Sequence, residues 1–196
     1  MEKIKIYRDK EEFKEAAARE RREEILKEGQ KVFSTETFQK GRTQIHHRGT
    51  TVVNHTLEVT DWALRITDAL EKKGIRVNRE EVLISALCHD LGIIGRDEKF
   101  ANTIACWLQH PKDSVEIAEE LYPDMSEHTK KVIGRHMWPA TPMWPTSREG
   151  WILDLADTIA SMNDFFRPNH KHMLGDMPIA SLFPDAAEAD GKSSIA

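Results

Sequence analysis

Histidines fall on the apolar faces of successive predicted helices, and this arrangement restricts the fold more than any other feature of the chain. Val59, Ala63 and Ile66 recur at helical spacing, and His55 lies on the same face four residues before Val59. His89 ends another apolar helical run, VLISALCHDLG. One such histidine is most simply a core residue bonded to a backbone carbonyl. Several together require a shared partner, because each unpaired polar group loses its solvation on burial, and a divalent metal ion satisfies them all.

The composition excludes several classes of protein. The chain has 196 residues, which suits a single domain, and carries a formal net charge of -5. No apolar run approaches the roughly 18 residues that cross a bilayer, and no basic stripe interleaved with aromatic residues indicates nucleic-acid binding. The start, MEKIKIYRDKEEF, lacks the apolar core of a secretory signal. We therefore expect a cytoplasmic protein without membrane or nucleic-acid partners, with Cys88 and Cys106 as reduced core residues.

Helical periodicity through most of the sequence predicts an all-α helical bundle. Residues 9–31 mix charges of both signs with few large apolar side chains, which predicts a solvent-exposed helix. We predict a charged amino-terminal helix and loop over residues 1–45, the main domain over residues 46–172 and an extended tail over residues 173–196. Whether the first helix contacts a second copy in a homodimer stays open.

Three later helices carry further polar residues. Pro111 suits a first helical position, which puts His110 at the cap of its helix. The next helix carries His136 on its apolar face and is predicted to continue as far as the MWP that follows. The run WILDLADTIASMNDFF is apolar on most sides, which predicts a buried helix that contains Asp154 and Asp157.

The order of these residues resembles the HD-domain superfamily of metal-dependent phosphohydrolases. The run LCHDLGIIG is similar to that family's HD motif with its following glycine, and DLADTIAS resembles its terminal aspartate helix. The resemblance covers about residues 46–165 and implies an HD-domain-like bundle. The set matches the extended His, His-Asp, His, His, Asp pattern of the two-metal branch. Its members are His55, His89, Asp90, His110, His136 and Asp157.

The resemblance implies two metal sites that share one carboxylate. The first ion would be held by His55, His89, Asp90 and Asp157. The second would be held by Asp90, His110 and His136. Asp90 and His89 would be the central catalytic residues. Nitrogen and oxygen ligands without thiolate favour iron first and manganese next, with zinc, cobalt, nickel or magnesium as alternatives. Asp154 competes with Asp157 for one position, but its sequence context does not match the motif.

Cationic side chains near the motif are the candidates for binding substrate phosphate. We select His47, Arg48 and Arg96, each of which is otherwise a solvated surface residue. Either His46 or His47 is expected to face the pocket, and the sequence leaves this choice open.

The resemblance implies an enzyme that cleaves a phosphomonoester or phosphoanhydride of a small molecule by two-metal activation of water, with a nucleotide-like substrate favoured. The run MWPATPMWP after His136 departs from the cyclic-dinucleotide phosphodiesterase subgroup, which argues against that substrate. Two alternatives stay open. One is a di-iron oxygenase, because a related branch has a similar ligand order. The other is a non-catalytic module that binds a metal or a ligand, although structural metal sites are usually closed and rich in thiolate.

Overall fold

The computed structural model describes residues 10–47 and 49–166, with side chains from residue 14 onward. The regular secondary structure of this part of the chain is helical apart from one two-stranded antiparallel ribbon, which confirms the all-α prediction. The helices are α1 (Lys10–Glu28), α2 (Gln30–Phe33), α3 (Glu36–Lys40), α4 (Val52–Glu71), α5 (Arg79–Cys88), α6 (Arg96–Lys99), α7 (Thr103–Leu121), α8 (Glu127–Gly134) and α9 (Arg148–Phe166). The ribbon joins β1 (Ile45–His47) to β2 (Thr50–Thr51), and a short 3₁₀ helix (Leu91–Ile93) follows α5.

None of the helices described combines the length and apolarity that crossing a bilayer requires. The division into an amino-terminal segment, a main domain and a tail stays a prediction. The predicted tail, residues 173–196, lies outside the described residues.

Helix α4 is the centre of the bundle and packs chiefly against α9 and α5. Its first turn is capped by Thr51, whose hydroxyl oxygen accepts a hydrogen bond from the backbone N–H of Asn54 at 3.2 Å. Fully buried Val59 and Ala63 of α4 belong to the same apolar cluster as Ala156 of α9. Small side chains allow two helices to approach closely. The polar residues of this interface are therefore brought within reach of one another.

A close approach between the turn after α5 and helix α7 depends on Gly92. A Cβ atom at this position would overlap the carbonyl oxygen of His110 and lie 2.6 Å from the backbone nitrogen of Ser114. The backbone N–H of Gly92 donates to Oγ of Ser114 at 2.9 Å. Because only glycine fits here, Asp90 in the turn and His110 on α7 come together.

The prediction that Pro111 begins a helix is wrong, because α7 runs through it. Helix α7 begins after Asn102, whose side-chain oxygen accepts a hydrogen bond from the backbone N–H of Ala105 at 2.9 Å. Pro111 has no N–H to donate to the carbonyl of Trp107, so the helix loses one hydrogen bond. The cap upstream and the buried face of α7 outweigh this local loss. His110 consequently lies inside the helix and not at its cap.

Helix α8 is shorter than predicted. It ends at Gly134, a residue with low helix propensity, and His136 lies in the turn that follows. The backbone N–H of His136 still bonds the carbonyl of Ile133 at 3.4 Å, which keeps the histidine on the apolar side of this turn.

Helix α9 is packed on one side only, so the prediction that it is buried on most sides is wrong. Trp151, Leu155 and Phe166 are 47%, 48% and 70% exposed. An apolar run cannot show by itself whether neighbours surround a helix or cover one face. The inner face of α9 carries buried aspartates, and apolar side chains point outward.

Helix α1 is likewise not a purely solvated helix. Arg21 is 8% exposed and donates from Nε to Asp61 Oδ1 at 3.0 Å and from Nη1 to Asp68 Oδ2 at 3.1 Å. Ile25 on the same helix is fully buried. The expectation of an exposed helix is wrong on this face because Arg21 finds two carboxylate partners on α4, buried Asp61 and partly exposed Asp68.

Candidate metal centre

Three histidines from different elements present the same ring nitrogen to one buried point. Their Nδ1 atoms lie 2.7–2.8 Å from backbone carbonyl oxygens, which can only accept a hydrogen bond, so each Nδ1 is protonated. The pairs are His89 with Ala86, His110 with Cys106, and His136 with Ile133. In a neutral ring Nε2 then carries the free lone pair. Local helical geometry therefore prepares three nitrogen ligands that point inward.

The carboxylate of Asp90 lies at the centre of these histidines and is 3% exposed. Its Oδ1 atom lies 3.4 Å from His110 Nε2 and 3.6 Å from His136 Nε2. Its Oδ2 atom lies 3.4 Å from His89 Nε2 and 3.9 Å from His55 Nε2. The two oxygens thus face two different groups of histidines.

His55 on α4 joins the centre to α9. Its Nε2 lies 3.0 Å from Asp157 Oδ1, and its Nδ1 lies 3.2 Å from Asp164 Oδ2. Thr50 donates to the other oxygen of Asp164 at 2.7 Å, and Asp164 is fully buried. The structure therefore brings together all six residues that the motif order singled out, and adds Asp164. The sequence interpretation missed Asp164, although its spacing of seven residues from Asp157 places both on one helix face.

Burial lowers the pKa of the clustered histidines, whereas the charge of nearby carboxylates raises it. Burial lowers the pKa of His136 and, helped by neighbouring His55, holds the pKa of His46 well below its ordinary value. Burial also opposes protonation of His55, but its two carboxylate partners on α9 outweigh this and raise its pKa to about 10. Burial tends to raise the pKa of Asp90, whereas the nearby charge of His89 is the largest of the opposing effects that keep this pKa well below its ordinary value. Asp90 is thus ionised at neutral pH.

The contacts of two imidazoles show that this donor set fits a cation. Nε2 of His110 and Nε2 of His136 are 3.0 Å apart, and both rings already donate from Nδ1. Two facing lone pairs repel at this distance unless a proton or a metal ion lies between them, and burial disfavours the proton on His136. His89 Nε2 is buried and, among the described residues, has no hydrogen-bond partner.

The separations between donor atoms are those expected around a metal ion. Ligands bonded at about 2.1 Å in tetrahedral or octahedral geometry lie about 3.0–3.4 Å apart. Three groups of three donor atoms lie within 4.8 Å of one another. One is formed by His46, His47 and His55, and the other two contain Asp90: His55, His89 and Asp90, and Asp90, His110 and His136. The residues present therefore fit two divalent cations that share Asp90.

Asp154, the competing carboxylate, lies apart from this arrangement. It is buried, and its Oδ1 atom has no hydrogen-bond partner in the described part of the chain. Burial, helped by the charge of Asp157, raises the pKa of Asp154 to about 6. Of Asp154 and Asp157, it is therefore Asp157 that contacts His55.

Two of the three predicted phosphate-binding residues, His47 and Arg96, lie beside the centre. His46 Nε2 is 3.4 Å from Asp90 Oδ2, whereas His47 Nε2 is 3.4 Å from Ser161 Oγ. His46 is therefore the nearer of the two to the central carboxylate, although His47 was the one selected from the sequence. Arg96 donates to the carbonyl of His46 at 3.4 Å. Arg48 lies outside the described residues.

Comparison with known proteins agrees with this geometry. The family model of the HD domain matches residues 52–162, which include the six clustered residues. Dihydroneopterin 2′,3′-cyclic phosphate phosphodiesterase from Methanocaldococcus jannaschii is 32% identical over 127 residues, which make up 61% of this chain and 50% of the relative. The chain thus spans half the length of the curated relative that it matches. No solved structure matches the chain significantly. Since the family model covers more than half of the sequence, the chain belongs to the HD domain family.

Proposed function

We propose that this protein is a metal-dependent phosphohydrolase that cleaves a phosphate ester of a small organic molecule with two divalent ions. The observation that carries the proposal is the position of Asp90, whose two oxygens face two separate groups of histidines. A carboxylate shared in this way is suited to a two-metal hydrolytic centre. The HD family match and the printed activity of the relative support the same class of reaction.

The proposed ligands divide between two ions. We assign His55, His89, Asp90 and Asp157 to the first ion. We assign Asp90, His110 and His136 to the second ion. The absence of thiolate from both sets favours iron or manganese.

Two divalent ions, when bound, lower the pKa of a coordinated water and polarise phosphoryl oxygens. The chain's own residues prepare the site for them. Hydrogen bonds from Nδ1 hold the imidazoles of His89, His110 and His136 in the tautomer that turns Nε2 inward. Arg96, a permanent cation beside the centre, and His47 bind the phosphate oxygens that do not react. Burial of the ligands keeps bulk water from competing for these contacts.

The relative narrows the choice of reaction. Its printed name describes hydrolysis of a 2′,3′-cyclic phosphate, which is a phosphodiester. We therefore place hydrolysis of an ester ahead of an anhydride and include cyclic phosphodiesters beside the phosphomonoesters that the sequence suggested. The substrate is proposed to be small and nucleotide-like.

The test is a hydrolysis assay with protein loaded anaerobically with Fe²⁺ or Mn²⁺. The substrates are guanosine 2′,3′-cyclic phosphate, guanosine monophosphate and guanosine triphosphate. We expect turnover of at least one ester, loss of that turnover in Asp90→Asn, and its retention in the matched variant Asp154→Asn. An undiminished rate in Asp90→Asn overturns the proposal.

The choice of metal distinguishes the oxygenase alternative from the hydrolase. Hydrolysis that persists with Mn²⁺, without uptake of dioxygen, excludes the oxygenase. Dioxygen consumption that requires iron and stops with Mn²⁺ would replace the hydrolase proposal. Metal binding without turnover of any substrate would favour a non-catalytic module.

A further inference from the structure

A cavity of 590 Å³ adjoins the candidate metal centre. Its walls come from β1, the 3₁₀ helix, α6 and the first turns of α7, and its volume is within the range of about 300–1,000 Å³ typical of small-molecule sites. His46 connects the two, since it lines the cavity and its Nε2 lies 3.4 Å from Asp90 Oδ2. A larger cavity of 670 Å³ lies by Glu24 and Tyr122 and contains none of the clustered histidines.

Several of the groups that line this cavity are suited to an anion. Arg96 and His47 line it, together with Thr103 at the amino-terminal end of the 19-residue helix α7, where the helix dipole is positive. The side chain of His46 is 10% exposed, and its buried Nδ1 has no hydrogen-bond partner among the described residues. Asp97 also lines the cavity; its side chain is 94% exposed, and its Oδ1 lies 3.7 Å from Arg96 Nε. The lining therefore offers one cation, Arg96, together with imidazole groups that can form hydrogen bonds to an anion.

The lining also includes two aromatic residues, Phe100 and Trp107. Phe100 is half-buried and packs on the core, whereas Trp107 is 41% exposed. The exposed indole of Trp107 offers a flat apolar surface on which an aromatic ring can stack.

We propose that this cavity binds the organic part of the substrate, and that the substrate is a phosphate ester whose alcohol carries a flat aromatic heterocycle, as in a nucleoside phosphate. This inference rests on the proposed hydrolase function. The phosphate lies toward His46, Arg96 and the metal centre, and the heterocycle stacks on Trp107. The phosphate and the heterocycle then each have a suitable partner in the lining, whereas a phosphate ester of a simple polyol has nothing to stack on Trp107.

The test measures binding and hydrolysis separately on the Mn²⁺-loaded protein. Calorimetry compares guanosine 2′-monophosphate with glycerol 2-phosphate, and kinetics compare guanosine 2′,3′-cyclic phosphate with glycerol 1,2-cyclic phosphate. Each pair shares its phosphate, and the glycerol compound lacks both the heterocycle and the ribose ring; the Trp107 variants isolate the contribution of the heterocycle. The variants are Trp107→Ala, Trp107→Phe, which keeps a stacking surface, and Trp144→Ala, which removes a tryptophan that is 65% exposed and does not line the cavity.

We expect Trp107→Ala to weaken binding of the guanosine ligand and raise its KM by about tenfold, the loss of one stacking contact. The glycerol compounds should change less than twofold, Trp107→Phe should restore most of the loss, and Trp144→Ala should have no effect. Equal affinity of the wild type for both ligands, or equal losses for both in Trp107→Ala, would overturn the subsite. If no ester is hydrolysed, the hydrolase proposal fails, while the binding comparison still decides whether the subsite exists.

Discussion

Nδ1 of His55 lies 3.2 Å from Oδ2 of Asp164, and both side chains are fully buried. The other three clustered histidines that use Nδ1 in this way donate to backbone carbonyls. His55 alone is held by a carboxylate, which orients the ring and makes Nε2 a better ligand for a cation. Asp164 is therefore a positioning residue for the first of the two proposed ions.

Asp164→Asn should lower the affinity for the first ion and leave the affinity for the second ion unchanged. Loss of such a carboxylate partner typically lowers metal affinity about 10–100-fold. Titration with Mn²⁺ should show two sites of similar affinity in the wild type and one clearly weakened site in the variant. Thr50→Val, which removes the hydroxyl that bonds Asp164, should have a smaller effect in the same direction. Equal weakening of both sites, or of neither, would contradict this role.

Gly92→Ala should separate the turn that carries Asp90 from α7. The added methyl group would overlap the carbonyl oxygen of His110, so one backbone must move. We expect a loss of stability of about 1–3 kcal/mol, as for overpacked sites. The second ion should also bind more weakly, because Asp90 and His110 are moved apart. Thermal unfolding and metal titration measure the two effects. Gly134→Ala is the control, because a Cβ there has 3.7 Å to its nearest neighbour. It should leave metal binding unchanged and raise stability slightly, by about 0.5–1 kcal/mol, since alanine has the higher helix propensity.

The metal-free protein should lose stability as the pH rises from neutral. The two carboxylates beside His55 raise its pKa to about 10, above an unfolded value near 6.5. The stabilisation is fully present below about pH 6.5 and is lost as the pH rises through about 10. Thermal unfolding in the presence of a chelator should therefore show falling midpoints across this range. In His55→Gln the decline should be clearly shallower, and identical slopes would refute this assignment.

Asp154 and Asp157 should respond oppositely to loss of charge. Asp157→Asn removes a carboxylate that contacts His55 and should reduce metal binding. Asp154 has a pKa raised to about 6, so above that pH its buried carboxylate is charged and lowers the free energy of unfolding. An uncharged Asn at this position does not carry this cost. We expect Asp154→Asn to keep its metal and unfold a few degrees higher at pH 7.5. Reduced metal content in Asp154→Asn would show that the wrong aspartate has been assigned.

Helical spacing was sufficient to select residues that the fold brings together. His55, His89 and His136 each lie on or next to a buried helix face, and such faces meet at the centre of a bundle. That these residues bind metal stays a prediction. The same reasoning failed for Pro111, since a local rule about proline was outweighed by the cap at Asn102 and by packing along α7.

Contacts between distant segments were not accessible from the sequence. His55 and Asp164 are 109 residues apart, and Arg21 and Asp61 are 40 apart. Periodicity shows which face of a helix is apolar, but it does not show which partner covers that face or which polar group meets a buried charge. Only the packing of α4 against α9 and α1 reveals these pairs.

The most direct test of the account is the metal content of protein purified anaerobically, determined by elemental analysis for the wild type and three variants. Because Asp90 faces both groups of histidines, we predict close to two ions per chain in the wild type and close to none in Asp90→Ala. His136→Ala and Asp157→Ala should each retain about one ion. A wild type with one ion that persists in His136→Ala, or with no bound ion, would contradict a centre built from two cations that share one carboxylate.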